Sequence, residues 1–122
     1  MEIRFGDVVI IDLADPVGSV QGNKRYATVI QNDMGNRYSP TTLVIPFTTK
    51  IKKLNMPNHT VIKANGKNGL KQDSMALGEQ VMVVNKNCIK GKVGRLGEND
   101  INKVVGAYMA NLPSYALRAG IA

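Results

Sequence analysis

The apolar residues of this chain come in short β-branched runs fenced by turn formers, and their spacing becomes helical only near the C terminus. Asp7-Val8-Val9-Ile10-Ile11-Asp12-Leu13 and Tyr26-Ala27-Thr28-Val29-Ile30 read as buried strands, because such runs suit a pleated surface and are too short for a core helix. Residues 42–46, 60–63 and 81–84 read as further short strands between Gly, Pro, Asn and Asp. Asn65-Gly66-Lys67-Asn68-Gly69 predicts a hairpin turn, with Asn-Gly supplying the positive φ of a tight connection. The pattern is that of a small, mainly β barrel.

In the tail, Ile101, Val104, Val105, Tyr108, Met109 and Leu112 fall on one stripe of an amphipathic helix. Gly97 is its expected N-cap, Glu98 and Asp100 place negative charge in the first turn, and Pro113 is expected to stop it. Tyr108 and Met109 are therefore expected in a core or interface rather than in a ligand box.

Between the first two strands, residues 14–25 carry Asp15-Pro16, Gly18-Ser19 and Gln21-Gly22-Asn23, a polar loop able to form a site. Thr48 and Thr49, followed by Lys50, Lys52 and Lys53, set hydroxyls and ammonium groups at a strand end. Lysines attract a phosphate backbone and hydroxyls add directional hydrogen bonds, although a charged loop guarding a strand edge would look the same. His59, the single histidine, lies in Met56-Pro57-Asn58-His59 and reads either as a solvated loop residue or as a contact to a base or phosphate.

A length of 122 residues fits one domain over 1–122, and a hydrophobic fraction of 43% suffices for a core without staples. Cys88 is the only cysteine, so disulfide frameworks and zinc-finger spacings are absent and a reducing cytoplasm is expected. The N-terminal apolar run is too short for a signal peptide or membrane span, and the tail helix lacks the basic face of a membrane-surface helix. Sixteen Lys and Arg against nine Asp and Glu give a net charge of +7, which favours a polyanionic partner such as nucleic acid. Phosphate-binding glycine loops, HExxH pairs and paired carboxylates are missing, so nucleotide-cofactor, zinc-hydrolase and two-metal chemistry lack their parts, and no cofactor or metal is expected. A Cys88–His59 dyad has no orienting third group, and a single histidine excludes a mechanism that uses two imidazoles as acid and base within one chain.

Arg4-Phe5-Gly6-Asp7-Val8, Gly18-Ser19-Val20-Gln21-Gly22-Asn23-Lys24-Arg25, Val29-Ile30-Gln31-Asn32-Asp33, Asn36-Arg37-Tyr38-Ser39-Pro40-Thr41 and Pro46-Phe47-Thr48-Thr49 occur in an order and spacing that resembles the MazF/PemK/Kid toxins. Met56-Pro57-Asn58-His59, Asp73-Ser74, Glu79-Gln80 and the closing helix extend the resemblance over essentially the whole chain. It implies an SH3-like β-barrel of the CcdB/PemK type with a C-terminal amphipathic helix. It further implies a homodimeric toxin of a type II toxin–antitoxin system that cleaves single-stranded RNA, including mRNA, at short sequences without metal, and that a MazE-type antitoxin inhibits. Arg25 and Thr48 match the family's catalytic arginine and threonine. Ser19, Asn32, Thr49, His59 and Gln80 lie at or near its RNA-contacting positions, and Gln21 and Lys50 extend that RNA-binding set.

The residue chemistry agrees with this implication. RNA brings its own nucleophile, the 2′-OH, so positioning it in line and stabilising charge on the phosphorane is sufficient, leaving a 2′,3′-cyclic phosphate and a 5′-OH. Arg25 can fork two donors onto phosphate oxygens and Thr48 can add a hydroxyl, while a guanidinium is a poor proton donor. Two departures stand out: Val20 occupies a position that is often acidic in the family, and Tyr26 one that is often proline. With six aromatic residues, base discrimination is expected to rest on Asn, Gln and Ser. The alternatives are a CcdB-like poison of DNA gyrase, which shares the fold, and a non-catalytic RNA-binding barrel.

Overall fold

A computed structural model describes residues 1–13, 24–52 and 55–114. Among these residues the elements are β1 (Asp7–Asp12), β2 (Lys24–Val29), α1 (Asp33–Tyr38), β3 (Thr41–Thr48), β4 (His59–Ile62), β5 (Ser74–Leu77), β6 (Met82–Asn85), β7 (Ile89–Arg95) and α2 (Glu98–Met109). Short 3-10 turns at Gly78–Gln80 and Lys86–Cys88 flank β6. The strands form an antiparallel sheet in the order β4-β5-β3-β2-β1-β7, with β6 added to β3. β3 is the hub. Residues 41–44 pair with β6, residues 44–46 with β2, and Phe47 and Thr48 with β5.

The β-branched runs are buried on both sides, as strands without a polar face must be. Val8 and Ile45 point into one cluster with Phe47, Ile62, Leu96, Ile101 and Val104, so α2 covers this face. Val9 and Val44, one residue along each strand, point the opposite way and pack with Ile3, Ile11, Val29, Val84 and Ile89. Each fully buried Val or Ile side chain contributes roughly 1.5–3 kcal/mol, so these two clusters are the main stabilising term. The mainly β architecture with a closing helix is the one expected.

Several boundaries differ from the sequence reading. β2 begins at Lys24, so Lys24 and Arg25 belong to a strand and not to the preceding loop; Ile11↔Arg25 and Asp12↔Lys24 pairing to β1 overrides their low intrinsic strand preference. β5 and β7 were not anticipated. β5 is a fully buried four-residue run, Ser74-Met75-Ala76-Leu77, with no alternation, and β7 carries Lys90, Gly91, Lys92 and Gly94, which weaken any strand signal.

α1 was also missed, because six residues give too little helical period to detect. Asn32 caps it by accepting from the Gly35 N–H at 2.8 Å, and buried Asn36 ties it to the sheet by accepting from the Thr42 hydroxyl at 2.6 Å. The 65–69 segment lies within a long β4–β5 connection rather than a tight hairpin. The positive φ falls at Gly69, at 72°, not at Gly66, because the Asn65 side chain itself closes the turn by accepting from the Lys67 and Asn68 N–H groups.

α2 begins after Gly97 as expected, although a glycine brings no side-chain cap. It ends at Met109, before Pro113, and Leu112 is exposed rather than part of the stripe. Tyr108 does pack against the cluster beneath α2. Among the described residues, no helix is long and apolar enough to cross a membrane.

Candidate active site

β2, β3 and the turn after β5 meet around an open cleft of about 470 Å³. Its walls include Arg25, Thr48, Thr49 and Gln80, together with Lys24, Tyr26, Phe47 and Leu77. Thus four of the residues singled out in the sequence converge from three separate segments. Pairing of β2 with β3 ends at Ala27↔Pro46, and Arg25 and Thr48 lie two residues beyond that point on their strands, where β3 has turned to pair with β5. Both line the cleft, which therefore offers a guanidinium and a hydroxyl together.

The cleft contains two cationic side chains and no acidic one among its lining residues. Thr48 Oγ1 accepts from the Lys50 N–H at 3.1 Å. That bond uses an oxygen lone pair and leaves the hydroxyl proton free for another acceptor. A pair of phosphate oxygens suits Arg25, and the Thr48 hydroxyl adds a directional third donor.

His59 does not stand in a solvated loop. It opens β4, opposite Leu77 of β5, with its side chain only 12% exposed. Its Nε2 donates to Glu79 Oε2 at 2.9 Å, while Nδ1 is buried without a partner among the described residues. His59 does not line the cleft itself but is tied, through Glu79, to the turn that carries Gln80 into it.

The remaining candidates are placed differently. Lys50 is exposed just beyond Thr49 and does not line the cleft. Asn32 faces a separate recess with Phe5, Ile30 and Asp33, where its side chain is occupied in capping α1. Ser19, Gln21 and Val20 lie outside the described residues. Cys88 packs against the cluster containing Val9 and Val44, whereas His59 pairs with Glu79, so the two form no dyad.

Glu79 was missed as an individual site residue, although Glu79-Gln80 was visible as a motif. Equally unforeseen is the polar support beneath that turn. Asn111, just after α2, donates to the Gly78 carbonyl at 2.9 Å, Asn58 donates to Asn111 Oδ1 at 3.1 Å, and Gly78 N–H donates to the Asn58 carbonyl at 2.8 Å. A β-carbon on Gly78 would stand 2.7 Å from both the Ala107 and Asn58 carbonyl oxygens, so only glycine allows this approach. No sequence spacing links residues 58, 78 and 111; the fold alone does.

Among the described residues, no three His, Cys, Asp or Glu side chains gather as a metal site. Residues 4–111 match the family described as PemK-like, MazF-like toxin of type II toxin-antitoxin system. The chain belongs to the PemK/MazF toxin family.

Two curated relatives match this chain over nearly their whole length. Endoribonuclease EndoA of Bacillus subtilis is 39% identical over 112 residues, covering 92% of this chain and 96% of its own. Endoribonuclease MazF of Staphylococcus saprophyticus is 38% identical over 117 residues, covering 96% and 97%. The PemK/MazF fold recurs in a MazE-MazF crystal structure from Deinococcus radiodurans, with a TM-score of 0.75 at 15% identity over 93% of this chain and 97% of that one. A mycobacterial endoribonuclease in complex with its cognate antitoxin gives 0.73 at 16% identity, over 90% and 94%.

Proposed function

We propose that this PemK/MazF-family chain is a sequence-selective endoribonuclease that cuts single-stranded RNA, mRNA included, and so inhibits translation and growth. The observation that carries this reading is that Arg25 and Thr48 line one cleft whose lining holds cations and no carboxylate. The names of the relatives at 39% and 38% identity support the activity.

In the proposed reaction the 2′-oxygen attacks the adjacent phosphorus and loses its proton, and the 5′-oxygen departs and gains one. The products are a 2′,3′-cyclic phosphate and a 5′-OH. Arg25 forks onto nonbridging oxygens, where charge accumulates in the phosphorane, and Thr48 donates its hydroxyl to the same group. No step calls for a metal ion. Gln80, Thr49 and His59 flank the bases, with Ser19, Gln21, Asn32 and Lys50 the remaining members of the proposed RNA-binding set. Duplex RNA hides its base edges in a deep groove, so the substrate is single-stranded.

The chain acts in the cytoplasm, as a homodimer whose two-fold partner covers apolar surface left by the small sheet. Its inhibitor is a MazE-type antitoxin, and a net charge of +7 favours an acidic, flexible inhibitory segment. The antitoxin complexes named among the structural neighbours support this assignment.

The test is cleavage of a mixed-sequence RNA in excess EDTA, with sequencing of the cut ends. Cyclic-phosphate ends, abolished by Arg25→Ala in a protein that still folds, are expected. A requirement for Mg²⁺, 3′-OH ends, or RNA bound but uncut would overturn the reading.

A further inference from the structure

We propose that Glu79 is a specificity-determining residue that accepts a hydrogen bond from the amino group of one substrate base, a role that rests on the RNA-cleavage reading above. A carboxylate beside a phosphate-binding cleft repels the RNA backbone, so its useful ligands there are the donors on base edges. Cytosine, adenine and guanine each present such a donor, an exocyclic amine, on the Watson–Crick edge; uracil has no amine and presents an oxo group where cytosine carries its own.

The geometry favours this role in two ways. Glu79 sits in the same 3-10 turn as Gln80, which lines the cleft, and its side chain is 39% exposed. Its Oε2 is held by His59 Nε2 at 2.9 Å, while its Oε1 has no partner among the described residues. One oxygen is therefore anchored by a largely buried imidazole and the other is left to accept. Holding the carboxylate in advance removes much of the ordering cost of the base contact. The turn is itself fixed from below by Asn111 and Asn58 through Gly78.

The same anchor dictates what an amide would do. A carboxylate is acceptor-only, so His59 Nε2 must be the donor of their shared bond. In Glu79→Gln the amide oxygen takes over that bond and its NH₂ faces the substrate. The preference at one substrate position then reverses, from an amino-bearing base toward an oxo-bearing one.

The experiment profiles cleavage of a randomised RNA pool by the full-length wild type, Glu79→Gln and Glu79→Ala. In parallel, their binding to 2′-deoxy oligonucleotides that differ only by cytosine, adenine, guanine or uracil at each position is measured. Wild type is expected to favour an amino-bearing base over uracil at one position by about ten-fold or more. Glu79→Ala should lose that preference, and Glu79→Gln should shift it toward uracil, with preferences elsewhere retained. Profiles unchanged in both variants would overturn the proposal while leaving the ribonuclease reading intact. Glu79-dependent base preference in binding, without any cleavage, would sustain the proposal and sink the nuclease. Neither binding nor cleavage by wild type would overturn both.

Discussion

Asn111, which follows α2, donates its side-chain amide to the carbonyl of Gly78, the first residue of the turn that carries Gln80 into the cleft. The link joins the closing helix to the site, so a residue far along the chain sets the position of a cleft wall. Asn111→Ala removes it and also strips Asn58 Nδ2 of its acceptor. Leaving such groups unsatisfied costs about 1–3 kcal/mol. A urea midpoint lowered with an unchanged slope is the expected result, together with a larger fall in kcat/KM for RNA than Asn102→Ala, at an exposed α2 position, produces.

Thr48→Val tests the hydroxyl at nearly constant volume. If Thr48 donates to the phosphorane, kcat should drop on the order of 10²-fold, the usual cost of one such donor. Stability should change by no more than about 1 kcal/mol, since the bond lost, from the Lys50 N–H, is exposed. A kcat within two-fold of wild type, in single-turnover assays, would remove Thr48 from the chemistry.

Gly69→Ala should be among the most damaging small substitutions. Its φ of 72° disfavours a side chain, and the new β-carbon would lie 2.2 Å from the Val93 carbonyl oxygen of β7. Backbone strain of about 1–2 kcal/mol adds to overpacking of about 1–3 kcal/mol, so a melting temperature lowered by well over 5 °C is expected. Gly66→Ala, at a position with open space around it, serves as the control.

Asp33 contributes a pH dependence. The Phe5 N–H, bonded to its Oδ1 at 2.7 Å, holds the carboxyl below the ordinary aspartate value, with a smaller contribution from Asn36. A lowered folded-state pKa means that the unfolded chain binds the proton first as pH falls. The stabilisation is therefore complete above the ordinary aspartate value and is lost as pH drops through that value and then through the folded one. Denaturation profiles between pH 6 and about 2 should show a shallower acid loss in Asp33→Asn than in wild type.

Much of the candidate site was legible residue by residue. Thr48 and Thr49 stand out as hydroxyls ahead of a lysine cluster at a strand end, whereas Arg25 and Gln80 stand out only through the resemblance to the toxin family. Asn32 shows what such a reading leaves out: its side-chain oxygen also caps α1, a partnership that depends on where α1 begins. Glu79 shows the converse. A glutamate in a basic chain says little until His59 is found against it.

The sequence by itself determined the mainly β class, the closing helix and the family. These rest on local periodicity and on ordered motifs, which survive without knowledge of the fold. Only the tertiary structure decided that Arg25 lies within β2 and lines one cleft with Thr48, that His59 is bound to Glu79 rather than solvated, and that Asn58, Gly78 and Asn111 interlock. The physical reason is common to all three: strand register and side-chain partnership depend on contacts between residues distant in sequence, and neither propensity nor spacing encodes which partner is met.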